Sequence, residues 1–120
     1  MAFASLGQLQ AGGIVLSPDP FLNSRSKQLA ALASAYTIPA ISELRFFAAA
    51  GGLISYGIDD LALSRQVGIY AGRILKGERP ADLPIQQPTK FELVVNLKTA
   101  KALGLDLPAS VLASADEVIE

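Results

Sequence analysis

Gly13-Ile14-Val15-Leu16-Ser17 and Ile38-Pro39-Ala40-Ile41-Ser42 are two short apolar runs with a helix-like stretch between them. Each reads as a β-strand. Strand, helix, strand in that order predicts a parallel pair joined by a right-handed crossover. The carboxyl ends of both strands then share one edge of the sheet, and in open α/β sheets ligands bind at that edge. The only acidic residues in the first 58 positions, Asp19 and Glu43, each come just after one of these runs. They are expected to line one crevice. Strand-to-helix loops favour acids in any case, as solvated groups or at helix N-termini, and that reading stands beside the first.

Working outward, residues 1–10 are weakly patterned and read as the end of a helix. Pro18-Asp19-Pro20 is a turn, because two prolines flanking Asp stop both strand and helix. Asn23 or Ser24 can cap the next helix, whose apolar face is Leu29, Leu32, Ala33 and Tyr36 at helical spacing. A short helix over Leu44 to Ala50 is expected to stop at Gly51-Gly52 in a left-handed turn. Leu53-Ile54-Ser55-Tyr56 is the third strand. Asp59 or Asp60 starts the longest helix, to about Lys76, with Gly77 just past its end. Its apolar positions Leu63, Val67, Tyr70, Ala71, Ile74 and Leu75 follow the 3.6-residue period. Ser64, Gly68 and Gly72 recur every four residues and suit close approach of a backbone. Residues 77–90 hold Pro80, Pro84 and Pro88 and read as an extended crossing connection. Phe91 to Asn96 is the fourth strand, a helix over 97–103 closes at Gly104, and residues 107–120 read as a loop and a peripheral helical turn.

Composition limits the chemistry. The chain has 120 residues, a net charge of −1, and neither cysteine nor histidine. Zinc sites, thiol chemistry and Ser-His-Asp catalysis are thereby excluded, and no metal site is expected. No basic run marks a nucleic-acid partner. Apolar residues make up 51% of the chain and the mean hydropathy is +0.39. That richness implies a well-buried sheet or a surface made for a partner. No apolar run approaches the length of a membrane span. Met1 to Gln10 carry no positive segment and no long apolar core, so they do not read as a signal peptide.

No glycine-rich phosphate fingerprint is present, since Gly51-Gly52 and Gly57 lack the strand-loop-helix placement it needs. No cofactor is expected. Phe46 and Phe47 read as core. Phe21 and Tyr56 fall at strand ends beside the acids, where a ligand-facing role competes with a core one. Asn96 reads as a helix cap, and Arg79 and Lys90 as solvated.

Several segments together resemble one family. They are Ile38-Pro39-Ala40-Ile41-Ser42-Glu43; Gly51-Gly52-Leu53-Ile54-Ser55-Tyr56-Gly57; Ile74-Leu75-Lys76-Gly77 leading into Pro80-Ala81-Asp82-Leu83-Pro84; and Phe91-Glu92-Leu93-Val94-Val95-Asn96-Leu97-Lys98-Thr99-Ala100-Lys101-Ala102-Leu103-Gly104-Leu105. They look like the carboxyl-terminal part of the ABC-transporter substrate-binding proteins related to the tryptophan-binding periplasmic proteins. The resemblance implies a type I periplasmic binding fold: two α/β lobes joined by three crossing segments, with a small solute between them. It implies that 1–57 is a strand-helix-strand portion of the second lobe. Residues 58–90 would be the crossing helix and proline-rich return, and 91–120 the last strand and tail. The first lobe's main sheet is not in this chain. The family's ligand-facing loops carry over to Ser17, Asp19, Phe21, Ser42, Glu43, Tyr56 and Gly57; Pro18 offers no side-chain donor.

The sequence therefore predicts an α/β fold with a mainly parallel sheet and flanking helices. The expected function is that of the solute-recognition component of an ABC import system, without enzymatic activity. Its expected partners are a small solute such as an amino acid and, in the full-length protein, a transporter permease. The resemblance implies a periplasmic or cell-surface lipoprotein location. The helix over 60–76 would lack its covering lobe, and its exposed face predicts a homodimer of the fragment. Two alternatives come from other classes. One is a receiver-like signalling domain with Asp19 as phospho-acceptor, which needs a Mg²⁺-binding acid cluster where only Glu43 is at hand. The other is an assembly module without a ligand.

Overall fold

The computed structural model describes residues 2–120. Helix α1 spans Ala2–Gln8, and Gln10 follows it with a positive φ. Strand β1 is Ile14–Val15, then come α2 (Pro20–Ser24) and α3 (Ser26–Ala35). Strand β2 is Ala40–Ser42, α4 is Arg45–Ala49 and β3 is Ile54–Ile58. The long α5 covers Asp60–Leu75, followed by a 3-10 turn at Pro80–Asp82. Strand β4 (Phe91–Asn96), α6 (Leu97–Ala102), α7 (Ala109–Ser114) and β5 (Glu117–Ile119) complete the described chain.

The five strands form one sheet in the order β1-β2-β3-β4-β5. β1 and β2 are parallel with Ile14 opposite Ala40, and β2 and β3 are parallel with Ser42 opposite Ser55. β4 and β5 are parallel with Val95 opposite Val118. The Asn96 amide donates to the Leu53 carbonyl at 2.9 Å, so the end of β4 meets the start of β3 and these two run antiparallel. The α/β fold is thus a mixed, mostly parallel sheet with flanking helices.

The chain divides into two compact units. One comprises the residues up to Gly57 together with Glu92–Glu120, and the other is Ile58–Phe91. In the first unit, Ala30 and Ala33 of α3, Ala40 of β2 and Phe47 of α4 form a buried cluster flanked by Phe3, Ile14, Leu16 and Leu29. Small side chains let α3 lie close to the sheet. For this reason α3 buries Ser26, Ala30 and Ala33, one step round from the expected face, and leaves Tyr36 exposed as its C-cap. Gly52 sits under the Phe47 ring, where a Cβ would come within 2.1 Å of a ring carbon.

The helix ends follow the sequence closely. Gly51, Gly77 and Gly104 all take positive φ past their helices. Asn96 caps α6 by accepting from the Thr99 amide at 3.0 Å, and its Nδ2 donates to the Ala48 carbonyl at 2.9 Å. Other expectations shift. Neither Asn23 nor Ser24 caps α3, because α2 forms first and Arg25 occupies the junction. The tail holds a strand as well as a helical turn. β5 is fixed by its ladder with β4, by Asp116, whose Oδ2 accepts from the Leu93 amide at 2.8 Å, and by Glu117, which takes two hydrogen bonds from Arg45.

In the second unit, Asp59 caps α5 by accepting from the Ala62 amide at 2.9 Å and also binds Lys90 Nζ at 2.6 Å. Lys90 and Arg79 are solvated as expected, and each also joins an exposed pair: Arg79 binds Asp82 at 2.7 Å. Proximity along the chain places Arg79 beside Asp82, and the return of the chain to the start of α5 brings Lys90 to Asp59.

Candidate functional site at the carboxyl ends of β1 to β3

Because β1, β2 and β3 run the same way in adjoining register, their carboxyl ends form one edge. All seven residues singled out by resemblance fall on that side. Ser17, Asp19 and Phe21 follow β1, Ser42 ends β2, Glu43 comes next, and Tyr56 and Gly57 lie late in β3.

Their surroundings differ. Asp19 Oδ1 accepts from the Phe21 and Leu22 amides at 2.9 and 3.1 Å, so this carboxylate caps α2. The helix-terminal reading of Asp19 therefore holds at the level of contacts. Ser42 is buried and its hydroxyl accepts from the Leu44 amide at 3.4 Å, which shapes the turn. Glu43 is half-buried and accepts from Asn23 Nδ2 at 3.3 Å, tying the β2 loop to α2. Gly57 lies directly against the Glu43 backbone; a Cβ there would stand 2.1 Å from the Glu43 carbonyl oxygen. Glu43 thus touches α2 through Asn23 and β3 through Gly57.

Phe21 is 63% exposed and Tyr56 is 56% exposed. The Arg25 guanidinium lies 4.7 Å from the Phe21 ring centroid, a cation–π contact. Sequence reasoning read Asn23 as a cap and passed over Arg25. Both lie about one helical turn beyond the Asp19 loop, which is the signal that places them at this edge. It also passed over Ser55, whose buried hydroxyl has no hydrogen-bond partner. Ser55 sits in register with Ser42, directly behind the loop of Glu43.

Chemically, the edge offers one partly buried carboxylate braced by an amide, exposed aromatic faces and a guanidinium. Groups of these types are able to orient and hold a ligand. Among the described residues no group of three or more His, Cys, Asp or Glu could hold a metal ion. No helix is long and apolar enough to cross a membrane.

The second unit has its own cleft of about 160 Å³ beside Asp59, Leu63, Gln66, Gln86 and Lys90. The Lys90 hydrogen bond, and after it the Ala62 amide, hold the Asp59 carboxyl below the usual carboxylate range.

Sheet, edge and helices define the class of the α/β binding proteins. The family model for ABC transporter substrate binding proteins matches residues 6–119, and the chain belongs to that family. Among solved structures, a conserved domain protein from Vibrio cholerae O1 biovar eltor is 25% identical with a TM-score of 0.87. The match covers 98% of this chain and 39% of that one. An ABC domain from Streptococcus pneumoniae in complex with L-Trp is 27% identical with a TM-score of 0.84, covering 98% and 40%. A ligand-free, open substrate binding protein with adhesive properties from Clostridium difficile shares the fold at 24% identity, TM-score 0.63, covering 98% and 39%. The chain thus spans about two fifths of the length of the structures it matches. A comparison with curated proteins returned no match.

Proposed function

We propose that this chain supplies the solute-contacting edge of the substrate-binding component of an ABC import system, and that its solute is an amino acid. The observation that carries the proposal is the convergence on Glu43. Asn23 of α2 and Gly57 of β3 both touch it, on the sheet edge that also carries the exposed Phe21 and Tyr56, in a chain of the substrate-binding family. Glu43 receives the solute ammonium, and Phe21 and Tyr56 flank its side chain. Ser17, Ser42, Asp19 and Gly57 shape the loops around it. The pneumococcal relative, solved with L-Trp, supports an aromatic amino acid. The role is binding without catalysis. It further implies a permease partner and a periplasmic or cell-surface location, as is typical of the family. On the same reading, the chain on its own self-associates through α5.

Thermal-shift and calorimetric titration of the full-length protein with the twenty amino acids tests the reading. An aromatic amino acid is expected to bind, and Glu43→Gln to weaken it by about 1.5–3 kcal/mol, roughly ten- to hundredfold. Unchanged affinity in Glu43→Gln removes Glu43 from the site. Absence of binding by all twenty overturns the amino-acid assignment.

A further inference from the structure

Asn23 is held in place by its own backbone. Its amide donates to the Asp19 carbonyl at 2.8 Å, and its carbonyl accepts from the Ser26 hydroxyl at 2.7 Å. Ser26 is buried, and Asp19 caps the helix whose first residue is Pro20. Both neighbours of Asn23 along the chain are therefore anchored, which sets the direction in which its side chain leaves α2. That side chain crosses to a residue twenty positions on: Nδ2 donates to Glu43 Oε1 at 3.3 Å. The Glu43 backbone meanwhile rests against Gly57 of β3. Glu43 is thus fixed at its main chain by β3 and at one carboxylate oxygen by α2.

A glutamate side chain turns about several bonds, and ordering it opposes the binding of anything it holds. A hydrogen bond already made in the folded protein removes much of that cost in advance. The kind of donor matters too. A lysine or arginine on Oε1 would order the carboxylate equally well, but its positive charge would compete with an incoming ammonium. An amide orders the group and leaves its charge whole. The cation nearest along the chain is directed elsewhere: Arg25 lies over the Phe21 ring at 4.7 Å and donates to Gln28 at 3.1 Å.

We propose that Asn23 is a positioning residue for the solute ammonium, holding the Glu43 carboxylate ready through an uncharged donor. Asp19 acts one step further back, through the cap that sets α2. The proposal rests on the assignment of Glu43 to the ammonium made above, and adds the residue that prepares it.

Calorimetry on the full-length protein tests it with L-phenylalanine, L-tyrosine and L-tryptophan, each beside its 3-arylpropionate, which lacks the ammonium. Asn23→Ala is expected to weaken the amino acid that binds by about tenfold and to leave its 3-arylpropionate within about twofold. Asn23→Ala combined with Glu43→Gln is expected to bind no more weakly than Glu43→Gln alone, because both changes act through one contact. Asn23→Lys is expected to weaken the amino acid further than Asn23→Ala does. Equal losses for the two probes, or losses that add in the double variant, overturn the positioning role and leave Asn23 a part of the fold. A lysine variant that binds as well as the parent overturns the need for an uncharged donor. Glu43→Gln weakened with Asn23→Ala unchanged overturns this proposal alone. Glu43→Gln unchanged overturns the ammonium assignment and this proposal with it, as does a parent that binds none of the three amino acids.

Discussion

Gly57 and Ser55 show how the edge depends on single atoms. Gly57 has room for a hydrogen and nothing more, because the Glu43 carbonyl fills the space a Cβ needs. Gly57→Ala must push the β2 loop away from β3. The expected cost is about 2–3 kcal/mol, read by urea denaturation, with solute affinity falling in parallel. Ser55 has the opposite character. Its buried hydroxyl has no partner, so Ser55→Ala removes a desolvated group without opening a large cavity. That variant is expected to match or exceed the parent in stability by up to about 1 kcal/mol in a thermal melt. At this scale the sequence placed Asp19 and Glu43 at one edge through strand order alone. It left the role of Asp19 divided, and the structure decides for capping because Phe21 and Leu22 present their amides to it. The part of Gly57 was legible only as a strand-end glycine. Its cause is a contact fourteen residues away, which no local pattern encodes.

Among the elements, those with strong local signals formed where expected. Strand β4 has the predicted limits, and α5 starts at its acidic cap and stops before Gly77. Strand β5 escaped notice because three residues give no alternation to read. It exists through a ladder with β4 and two hydrogen bonds from Arg45, all distant in sequence. The Arg45–Glu117 pair is exposed and adds little by itself. Helix α5 carries an acid dependence whose sign follows from Asp59. Lys90 and the Ala62 amide lower its pKa in the folded chain. Arg73 lowers that of Glu78 at the other end of the helix in the same way. A lowered carboxyl contributes stability that is present above its unfolded value and is lost as pH falls through the folded one. The helical signal of α5 is therefore expected to fray as the pH drops below about 4. Asp59→Asn is expected to abolish much of that acid step and to reduce helicity at neutral pH, as followed by circular dichroism. An acid profile identical to the parent's would show that the step belongs to other groups.

For the molecule as a whole, the sequence gives the α/β class and the mostly parallel sheet, because crossover helices and apolar runs alternate plainly. It does not show that the β3–β4 pair is antiparallel, since that depends on where the long 58–91 excursion returns. This pairing makes a further prediction. Antiparallel neighbours can be joined by a two-residue turn. Replacing residues 59–90 with Asn-Gly is therefore expected to leave a cooperatively folded first unit with its sheet intact. Heteronuclear NMR would show dispersed amides for β1 to β5; a collapsed spectrum would mean that the excursion is required for the sheet.

The order β1-β2-β3-β4-β5 across the sheet is also the order of the strands along the chain. Each strand emerging from a ribosome finds its neighbour already made, and no earlier strand has to wait for a later one to be inserted beside it. Synthesis can thus proceed as a zipper that closes from the amino end, pausing only while the α5 excursion is made. During that pause the edge of β3 is an open template for aggregation, as is that of β1, and the β3 edge is covered when Phe91 to Asn96 arrive.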